Sequence, residues 1–410
     1  MNEHVQGATT EPLFNPLSPE FIRDPYPSYA RLRTTDPMHV TQFGAFVASR
    51  HAEASLVLRD KRFGKDFAER TVRRYGPKIM DEPIFRSMSH WMLQQDPPDH
   101  TRLRGLVVKA FTARRVEDMR PRIQQVVDET LDATVGQGHM DLIEDFAFRL
   151  PVTIICDMLG IPEEHRAAFY KGSRDGGRLL DPVPLSSAEI EQGNAATALQ
   201  QMYFQQLFEL RRRKPGDDLT TQLVQAEEDG NKLSNEELTA NIILLFGAGH
   251  ETTVNLIGNG LLALYRNPDQ LALLKANPGL ITNAVEEFLR YDSSVQLTGR
   301  VALDDIEDVG GKKIPKGESV LCLLGSANRD PAVFPDRPDQ LDITRPNVRP
   351  LSFGGGIHFC LGAQLARIEA EIAISTLLRR LPDLRLDDAE NPEWRPTFVL
   401  RGLKALPARW

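Results

Sequence analysis

The chain has 410 residues, of which 41% are hydrophobic and 26% are charged, and its net charge is −8. This composition is typical of a soluble globular protein, and the negative charge argues against nucleic-acid binding. Pro- and Gly-rich stretches are short and no repeat is visible, so we expect one domain over residues 1–410.

The N-terminus and the cysteines indicate the cellular compartment of the protein. Residues 1–7 include an acid and no apolar core, so we see neither a signal peptide nor a membrane anchor. The most apolar stretch, Ile242 to Gly249, is too short to span a membrane. The cysteines are odd in number and widely separated, which fits neither a disulfide framework nor a zinc site: Cys156, Cys322 and Cys360. We therefore expect a cytoplasmic protein without a membrane span.

Apolar periodicity predicts a mainly helical chain with few, short strands. One β-hairpin is predicted from Met38 to Ser49 around Gly44. A second pair of strands is predicted around Gly310-Gly311, with its second strand between Ile314 and Leu323. Strands and helices do not alternate regularly, which argues against a doubly wound parallel sheet. One helical face is marked by Ile123, Val126, Val127 and Leu131.

A long helix is predicted to begin at the capping-box sequence Ser234 to Glu237 and to end before Pro268. Its middle, Gly247 to Thr253, contains two glycines, and each costs about 1 kcal/mol relative to alanine. Two interpretations are open. The small residues either pack closely against another helix, with Thr252 bonded to the carbonyl four residues earlier, or leave a gap that the function requires.

Glu287 and Arg290 are one helical turn apart. By itself this spacing predicts only a surface ion pair worth about 0.2–0.5 kcal/mol. His100 and Arg104 are likewise one turn apart on one helical face. Arg300 follows a short predicted strand, where the simplest interpretation is a solvated surface side chain.

The run from Phe353 to Gly362, FGGGIHFCLG, places Cys360 in a glycine-rich loop before a helix predicted from Leu361 to Leu378. Glycines let a flat ligand approach closely, and N–H groups at a helix start stabilise a thiolate. A lone cysteine is usually a small buried hydrophobe. The whole pattern, however, resembles the haem-ligand signature of the cytochrome P-450 family.

The resemblance extends from Asp24-Pro25-Tyr26-Pro27 to Arg401-Gly402-Leu403. The distal-helix motif of the family is matched by Ala248, Gly249, Glu251 and Thr252. Glu287 and Arg290 resemble the family's buried Glu-x-x-Arg pair, which binds a second arginine, here expected to be Arg345. One departure is Gly355, where many relatives carry histidine, and it should leave iron ligation intact.

The resemblance implies a mainly α fold with small β-sheets, in which a long central helix lies over a haem held against the cysteine loop. The cofactor would be haem b (iron protoporphyrin IX), with the Cys360 thiolate as iron ligand. Other expected cofactor contacts are Phe353, Gly354, Gly362, Ala248 and Gly249. The expected propionate partners are His100, Arg104, Arg300 and His358.

The resemblance also implies a dioxygen-dependent monooxygenase. Thr252 and Glu251 would hold and relay the protons that dioxygen cleavage requires. Electrons would come from NAD(P)H through a reductase and a ferredoxin-type donor. Four cations would form the docking patch unless they are merely scattered and solvated: Arg102, Lys109, Arg114 and Arg115.

The substrate would be a lipophilic small molecule that is hydroxylated or epoxidised. It would contact the segments Phe67 to Leu93 and Phe169 to Ile190, together with Leu244, Leu245, Ala248, Val295, Leu297 and Phe398, although apolar residues at such spacing are more often plain core. Two alternatives are a haem-thiolate gas sensor or electron carrier, which would not need Glu251 and Thr252, and a helical binding protein without a cofactor.

Overall fold

The computed structural model describes the backbone of residues 12–42, 44–172, 176–228 and 233–410. Side chains are described over the same ranges except at 110, 168–172, 176 and 227–228. The N-terminal stretch considered above, residues 1–7, therefore lies outside the described residues. So do residues 173–175 of the second predicted substrate segment.

The described chain is mainly α-helical with small sheets, as expected. Its helices are α1 Pro19–Arg23, α2 Tyr26–Thr35, α3 His51–Arg59, α4 Phe67–Tyr75, α5 Pro83–Ser89, α6 Asp99–Ala110, α7 Ala113–Asp118, α8 Arg120–Thr134, α9 Arg149–Leu159, α10 Glu163–Gly172, α11 Ser187–Arg213, α12 Leu219–Glu228, α13 Asn235–Arg266, α14 Pro268–Ala276, α15 Ile281–Tyr291, α16 Leu324–Ala327 and α17 Ala363–Arg380. A π-helical segment spans Leu142–Ala147.

The strands are β1 Met38–Val40, β2 Phe46–Ala48, β3 Phe63–Gly64, β4 His139–Asp141, β5 Leu297–Ala302, β6 Ile306–Val309, β7 Lys312–Ile314, β8 Ser319–Leu323, β9 Arg385–Leu386 and β10 Pro407–Arg409. They form a five-stranded sheet in the order β1-β2-β8-β5-β3, a three-stranded sheet β4-β10-β9 and the pair β6-β7. Only the β2–β8 pairing in the large sheet is parallel.

Helix α13 forms the centre of the fold, and both of its predicted ends are confirmed within two residues. Its capping box is complete, because Ser234 accepts from the N–H of Glu237 and the Glu237 side chain accepts from the N–H of Ser234. Its C-terminal half is buried on all sides, and the helix packs against α9, α11, α15 and α17. These contacts fix the position of the residues in the middle of α13.

The predicted face of α8 is also confirmed, because Ile123, Val126, Val127 and Leu131 are all buried. The first hairpin is confirmed as the antiparallel pair β1–β2. The second prediction was wrong in part. The partner of β6 across Gly310-Gly311 is the short strand β7, which ends at Ile314, whereas Ser319–Leu323 forms β8 between β2 and β5. Gly317, with φ of 84°, lies in the turn that separates β7 from β8.

Within the described ranges, no helix combines the length and the apolar character that crossing a bilayer requires.

Candidate active site

A cavity of about 1020 Å³ lies between the middle of α13, the Cys360 loop and helix α6. Helices α4, α5 and α11, strand β5 and the segments 177–185 and 395–400 also contribute to its walls. The predicted site residues that line it are Cys360, His100, Arg104, Arg300, His358, Phe353, Gly354, Gly362, Ala248, Gly249, Glu251 and Thr252. The fold therefore brings motifs from distant parts of the sequence to one place.

The cysteine loop depends on its glycines. Gly354 and Gly356 have φ values of 71° and 67°, in the left-handed region that favours glycine. A Cβ atom on Gly356 would lie 2.3 Å from the carbonyl oxygen of Leu58, so no larger residue fits there. The N–H of Cys360 donates to the carbonyl of Phe353 over 3.0 Å and closes the loop. In this loop the Cys360 thiol, which forms no disulfide, lines the cavity.

The surroundings of Cys360 act on its thiol in opposite directions. Burial raises the pKa of the thiol, whereas the N–H of Gly362 and the guanidinium groups of Arg104 and Arg367 lower it. Arg104 also donates to the carbonyl of Phe359 over 2.6 Å, which links α6 to the residue just before the cysteine. Because the thiolate is the form that binds metals, a cation at the sulfur would replace the proton.

The middle of α13 shows both arrangements that the sequence allowed, close helix packing and a gap. A Cβ atom on Gly249 would lie 3.1 Å from the side chain of Ile155 on α9, so this glycine serves close helix packing. A Cβ atom on Gly247 would have no neighbour within 4 Å, and Gly247 lines the cavity. Thr252 donates to the carbonyl of Ala248 over 3.1 Å. Packing therefore explains one glycine, and the other faces open space.

Basic side chains are concentrated along one part of the cavity wall. The rings of His100 and His358 have their centroids 4.3 Å apart. Both nitrogens of His100 and Nε2 of His358 are buried without a hydrogen-bond partner among the described residues. Burial and the charges of Lys65 and Arg300 lower the pKa of His358 to about 2, so this imidazole is neutral. Unpaired buried polar atoms of this kind indicate a site built for another group.

Lys65 belongs to this cluster and was missed by sequence reasoning. Its ammonium is buried and donates to the carbonyl of Gly299 over 3.2 Å, the same carbonyl to which Arg300 donates. Burial lowers the pKa of Lys65 well below its usual range. No local sequence pattern marks Lys65; in the structure its backbone is held by Asp96, in the run that contains His100, which accepts hydrogen bonds from the N–H groups of Lys65 and Asp66.

The structure brings Glu287, Arg290 and Arg345 together as a buried cluster. Two nitrogens of Arg290 donate to the two carboxylate oxygens of Glu287 over 2.7 and 2.8 Å, and Arg345 Nε lies 3.3 Å from Glu287. Both members of the first pair are 0% exposed, so the surface interpretation of this pair was wrong. Arg290 also donates to the carbonyl of Asn328, and Asn328 accepts from the N–H of Leu351 at the start of the cysteine loop.

Most of the predicted substrate contacts line the cavity, namely Leu244, Leu245, Ala248, Val295 and Leu297. Phe398 does not, and its prediction needs correction. Its side chain is buried in a core cluster that also contains Phe14, Phe21 and Tyr29, and of the same segment Val399 and Leu400 line the cavity. Both predicted segments line the cavity in part, the first through Arg70, Ile84, Ser87, Trp91, Met92 and Leu93 and the second through Gly177, Arg178, Leu179, Leu180, Leu185 and Glu189. The side chain of Phe169 lies outside the description.

Comparisons with known proteins agree with this geometry. The family model described as cytochrome P-450 matches residues 60–277 and 276–402. The cytochrome P-450 monooxygenase PikC of Streptomyces venezuelae is 42% identical, over 100% of this chain and 97% of its own length. A crystal structure of the cytochrome P-450 BioI, in complex with acyl carrier protein carrying hexadec-9Z-enoic acid, is 40% identical with a TM-score of 0.89 over 96% of this chain and 100% of that one. A myxobacterial cytochrome P-450 in complex with myristic acid is 42% identical with a TM-score of 0.88, over 96% and 98% of the two chains.

The fold, the cavity with its cysteine loop and the named relatives together define an oxidoreductase of mainly helical structure. The chain belongs to the cytochrome P-450 family. Membership of this family implies a haem cofactor.

The residues present fit that cofactor. Haem carries two carboxylates, and the partnerless His100 and His358 nitrogens lie beside Lys65, Arg104 and Arg300. These three cations form no ion pair within 4.0 Å among the described residues. Two anionic groups would compensate buried charges that the protein itself leaves unpaired.

Proposed function

We propose that this protein is a haem-thiolate monooxygenase that uses dioxygen and electrons from a separate redox partner to hydroxylate or epoxidise a lipophilic small molecule. The observation that carries the proposal is that Cys360 and the pair Glu251 and Thr252 line one cavity. A gas sensor or an electron carrier would not need Glu251 and Thr252.

Cys360 is the proposed iron ligand, and haem supplies the iron centre at which dioxygen is activated. The proposed propionate partners are His100, Arg104, Arg300 and His358, with Lys65 added from the structure. Phe353 and Gly354 before the cysteine, and Gly362 after it, would border the flat ring. Ala248 and Gly249 would lie along its other face, where the small residues leave room.

Glu251 and Thr252 are proposed to manage protons. Because the hydroxyl hydrogen of Thr252 is directed to the carbonyl of Ala248, its oxygen lone pairs remain available to accept a hydrogen bond from a group in the cavity. Glu251 is half-buried at the cavity wall, next to Gly177. A carboxylate in this position would return protons to the threonine through water.

The proposed electron donor is a ferredoxin-type protein that a reductase keeps reduced with NAD(P)H. Helix α6 supports a docking site, because Arg104 on this helix contacts the residue before Cys360. Ile357 in the cysteine loop is 47% exposed, which would add an apolar contact. Of the predicted docking cations, Arg102, Arg114 and Arg115 are each in ion pairs within the protein.

The proposed substrate is mainly apolar. Leucine and valine side chains from α13 and β5 line the cavity, and such linings bind lipophilic molecules. The structures with a fatty acid or a fatty acyl group support a long aliphatic ligand.

The test is the ferrous carbon-monoxide difference spectrum of the purified protein, compared with that of Cys360→Ser and Cys360→His. We expect the strongly red-shifted band of thiolate-ligated haem in the wild-type protein and its loss in both variants. Cys156→Ala is the matched control, because Cys156 is buried in the core and does not line the cavity. Haem without the red-shifted band in the wild type, or the same band in Cys360→His, would overturn the assignment.

A further inference from the structure

We infer that the substrate carries a carboxylate and that Arg70 binds it, which assigns a substrate-orienting role to a residue of α4. This inference rests on the proposed function and specifies its substrate class. Arg70 lines the same cavity as Cys360. A Cβ atom on Gly299 would lie 3.6 Å from Arg70 Nη1, so the guanidinium reaches strand β5.

Arg70 is a cation without a partner among the residues that the structure describes. Its side chain takes part in no ion pair within 4.0 Å and in no hydrogen bond within that part of the chain, and its guanidinium carbon lies 5.9 Å from the centre of the Phe67 ring. The next arginine of the helix differs, because Arg73 pairs with Glu69 and donates to the carbonyl of Gly317. A guanidinium stays charged, so one that is kept from protein acids requires water or a ligand anion.

The charges around Arg70 do not neutralise it. Burial and the charge of Arg74 lower its pKa, and Asp66 opposes them from beyond ion-pair distance. Burial raises the pKa of Asp66, and the nearby acids Glu69 and Asp96 raise it further. The nearest carboxylate is therefore not a dedicated counterion of Arg70.

Arg70 lies at the edge of the cation cluster that fits haem, because its charge helps to lower the pKa of Lys65 but does not act on the two imidazoles. The charges that act most strongly on His100 and His358 include Lys65, Arg104 and Arg300, and Arg70 is not among them. Those three cations and the two imidazoles suffice for two propionates. Arg70 is then a fourth unpaired cation of the cavity, and one further negative charge would balance it.

The neighbours of Arg70 define the rest of the ligand. Strand β5 continues from Gly299 back to Leu297, and the lining then becomes apolar through Val295, Leu244 and Leu245. A carboxylate fits the planar guanidinium in a bidentate manner, which an alcohol or an ester cannot reproduce. A molecule with a carboxylate at one end and an aliphatic body would bind with the body directed along this apolar wall. Arg70 would thereby select which carbon reaches the reacting centre.

The test compares ligand pairs on the haem-loaded enzyme. Saturated fatty acids of increasing length and their methyl esters are titrated, and Kd is read from the low-to-high-spin change of the haem spectrum. For at least one length we expect the acid to bind about tenfold more tightly than its ester, a difference of about 1.4 kcal/mol. In Arg70→Gln this preference should disappear through weaker binding of the acid alone. Arg73→Gln is the matched control and should keep it.

Other outcomes would overturn the inference. Equal affinities of acid and ester at every length, or an equal loss for both in Arg70→Gln, would show that Arg70 recognises no carboxylate. Loss of haem from Arg70→Gln would assign the residue to the cofactor instead. Failure of the proposed function is a separate result, because it would appear as a missing thiolate band in the wild-type carbon-monoxide spectrum before any ligand is added.

Discussion

The hydroxyl of Thr252 donates a hydrogen bond to the backbone carbonyl of Ala248, 3.1 Å away, on the part of α13 that lines the cavity. The hydrogen bond from Thr252 to the carbonyl four residues earlier, which the packing interpretation predicted, is therefore present. It does not exclude a proton role, because it fixes the hydroxyl hydrogen on the helix side and leaves the oxygen as an acceptor.

Thr252→Ala should retain haem and substrate binding but divert reducing equivalents into hydrogen peroxide. Without the hydroxyl, protons would reach the site in an unordered way, so we expect peroxide per NAD(P)H consumed to rise several-fold and product to fall correspondingly. The measurement is the ratio of product and peroxide to cofactor oxidised. Thr252→Ser, which keeps the hydroxyl, should remain close to the wild type. Full, tightly coupled product formation by Thr252→Ala would refute the relay role.

Glu287→Gln should destabilise the protein strongly. Glu287 accepts from Arg290 and from the N–H of Asp342, and it also lies against Arg345, so the neutral amide would leave two buried guanidinium groups without a counterion. Breaking a buried pair in this way costs about 3–5 kcal/mol. The measurement is the denaturant midpoint of the haem-loaded protein. Glu286→Gln is the control, because the Glu286–Arg367 pair is partly exposed and should be worth about 1 kcal/mol or less. Equal effects of both variants would contradict the structural role of the cluster.

Local signals explain what the sequence predicted well. The capping box of α13 and the Gly44 hairpin are specified by residues within a few positions of one another, so the ends of α13 and strands β1 and β2 were predicted correctly. The cysteine-loop pattern is similarly local, and helix α17, predicted from Leu361 to Leu378, is found at Ala363–Arg380, two residues later at each end.

Long-range contacts explain what the sequence missed. Lys65 enters the cavity wall because its ammonium bonds to Gly299, 234 positions away, and no pattern near Lys65 records that contact. Strand β8 was assigned to the wrong partner because its neighbours, β2 and β5, are distant in sequence. Phe398 was predicted to contact the substrate, whereas its side chain is buried in the core cluster that brings together residues 14–32, 297, 323 and 398–400.

The free energy of unfolding should depend on pH through the ionisation of the Asp181 carboxyl group. Burial raises the pKa of Asp181 to about 6 from 3.8, against the opposing effects of the N–H groups of Val399 and Phe398 and of Arg178. The folded state thus binds a proton that the unfolded state has released between about pH 4 and 6. Stability from this group is present below about pH 4 and is lost as the pH rises through about 6, by up to ~3 kcal/mol.

The measurement for Asp181 is the free energy of unfolding of Asp181→Asn relative to the wild type, between pH 4 and 7. The amide cannot ionise but can still accept from Val399, so the variant should gain stability relative to the wild type as the pH rises. Asp118→Asn, at an exposed position on α7, should show a far smaller trend. A constant difference for Asp181→Asn across this range would show that Asp181 does not titrate there.

Charge reversal on α6 and α7 should slow electron transfer from a ferredoxin-type donor. Arg102→Glu is the less suitable variant, because Arg102 also binds Glu237 in the capping box of α13 and its reversal would disturb the fold. Arg115 pairs only with exposed Asp217, and Lys109 forms no ion pair within the described residues. Lys109→Glu and Arg115→Glu are therefore the cleaner variants. Their reduction rates with the ferredoxin should fall several-fold at low ionic strength, with the defect shrinking as salt is added.

The control for docking uses a reductant without a docking surface. Reduction by dithionite should be unchanged in Lys109→Glu and Arg115→Glu, because it requires no complementary charge. Lys313→Glu, on the separate β6–β7 pair, reverses an exposed charge elsewhere and should leave the ferredoxin rate unaffected. Unchanged ferredoxin rates in both Arg102→Glu and Arg115→Glu, with Lys109→Glu equally silent, would eliminate this face as the docking site. A defect that persists at high salt would instead indicate damage to the cysteine loop through α6, where Arg104 contacts Phe359.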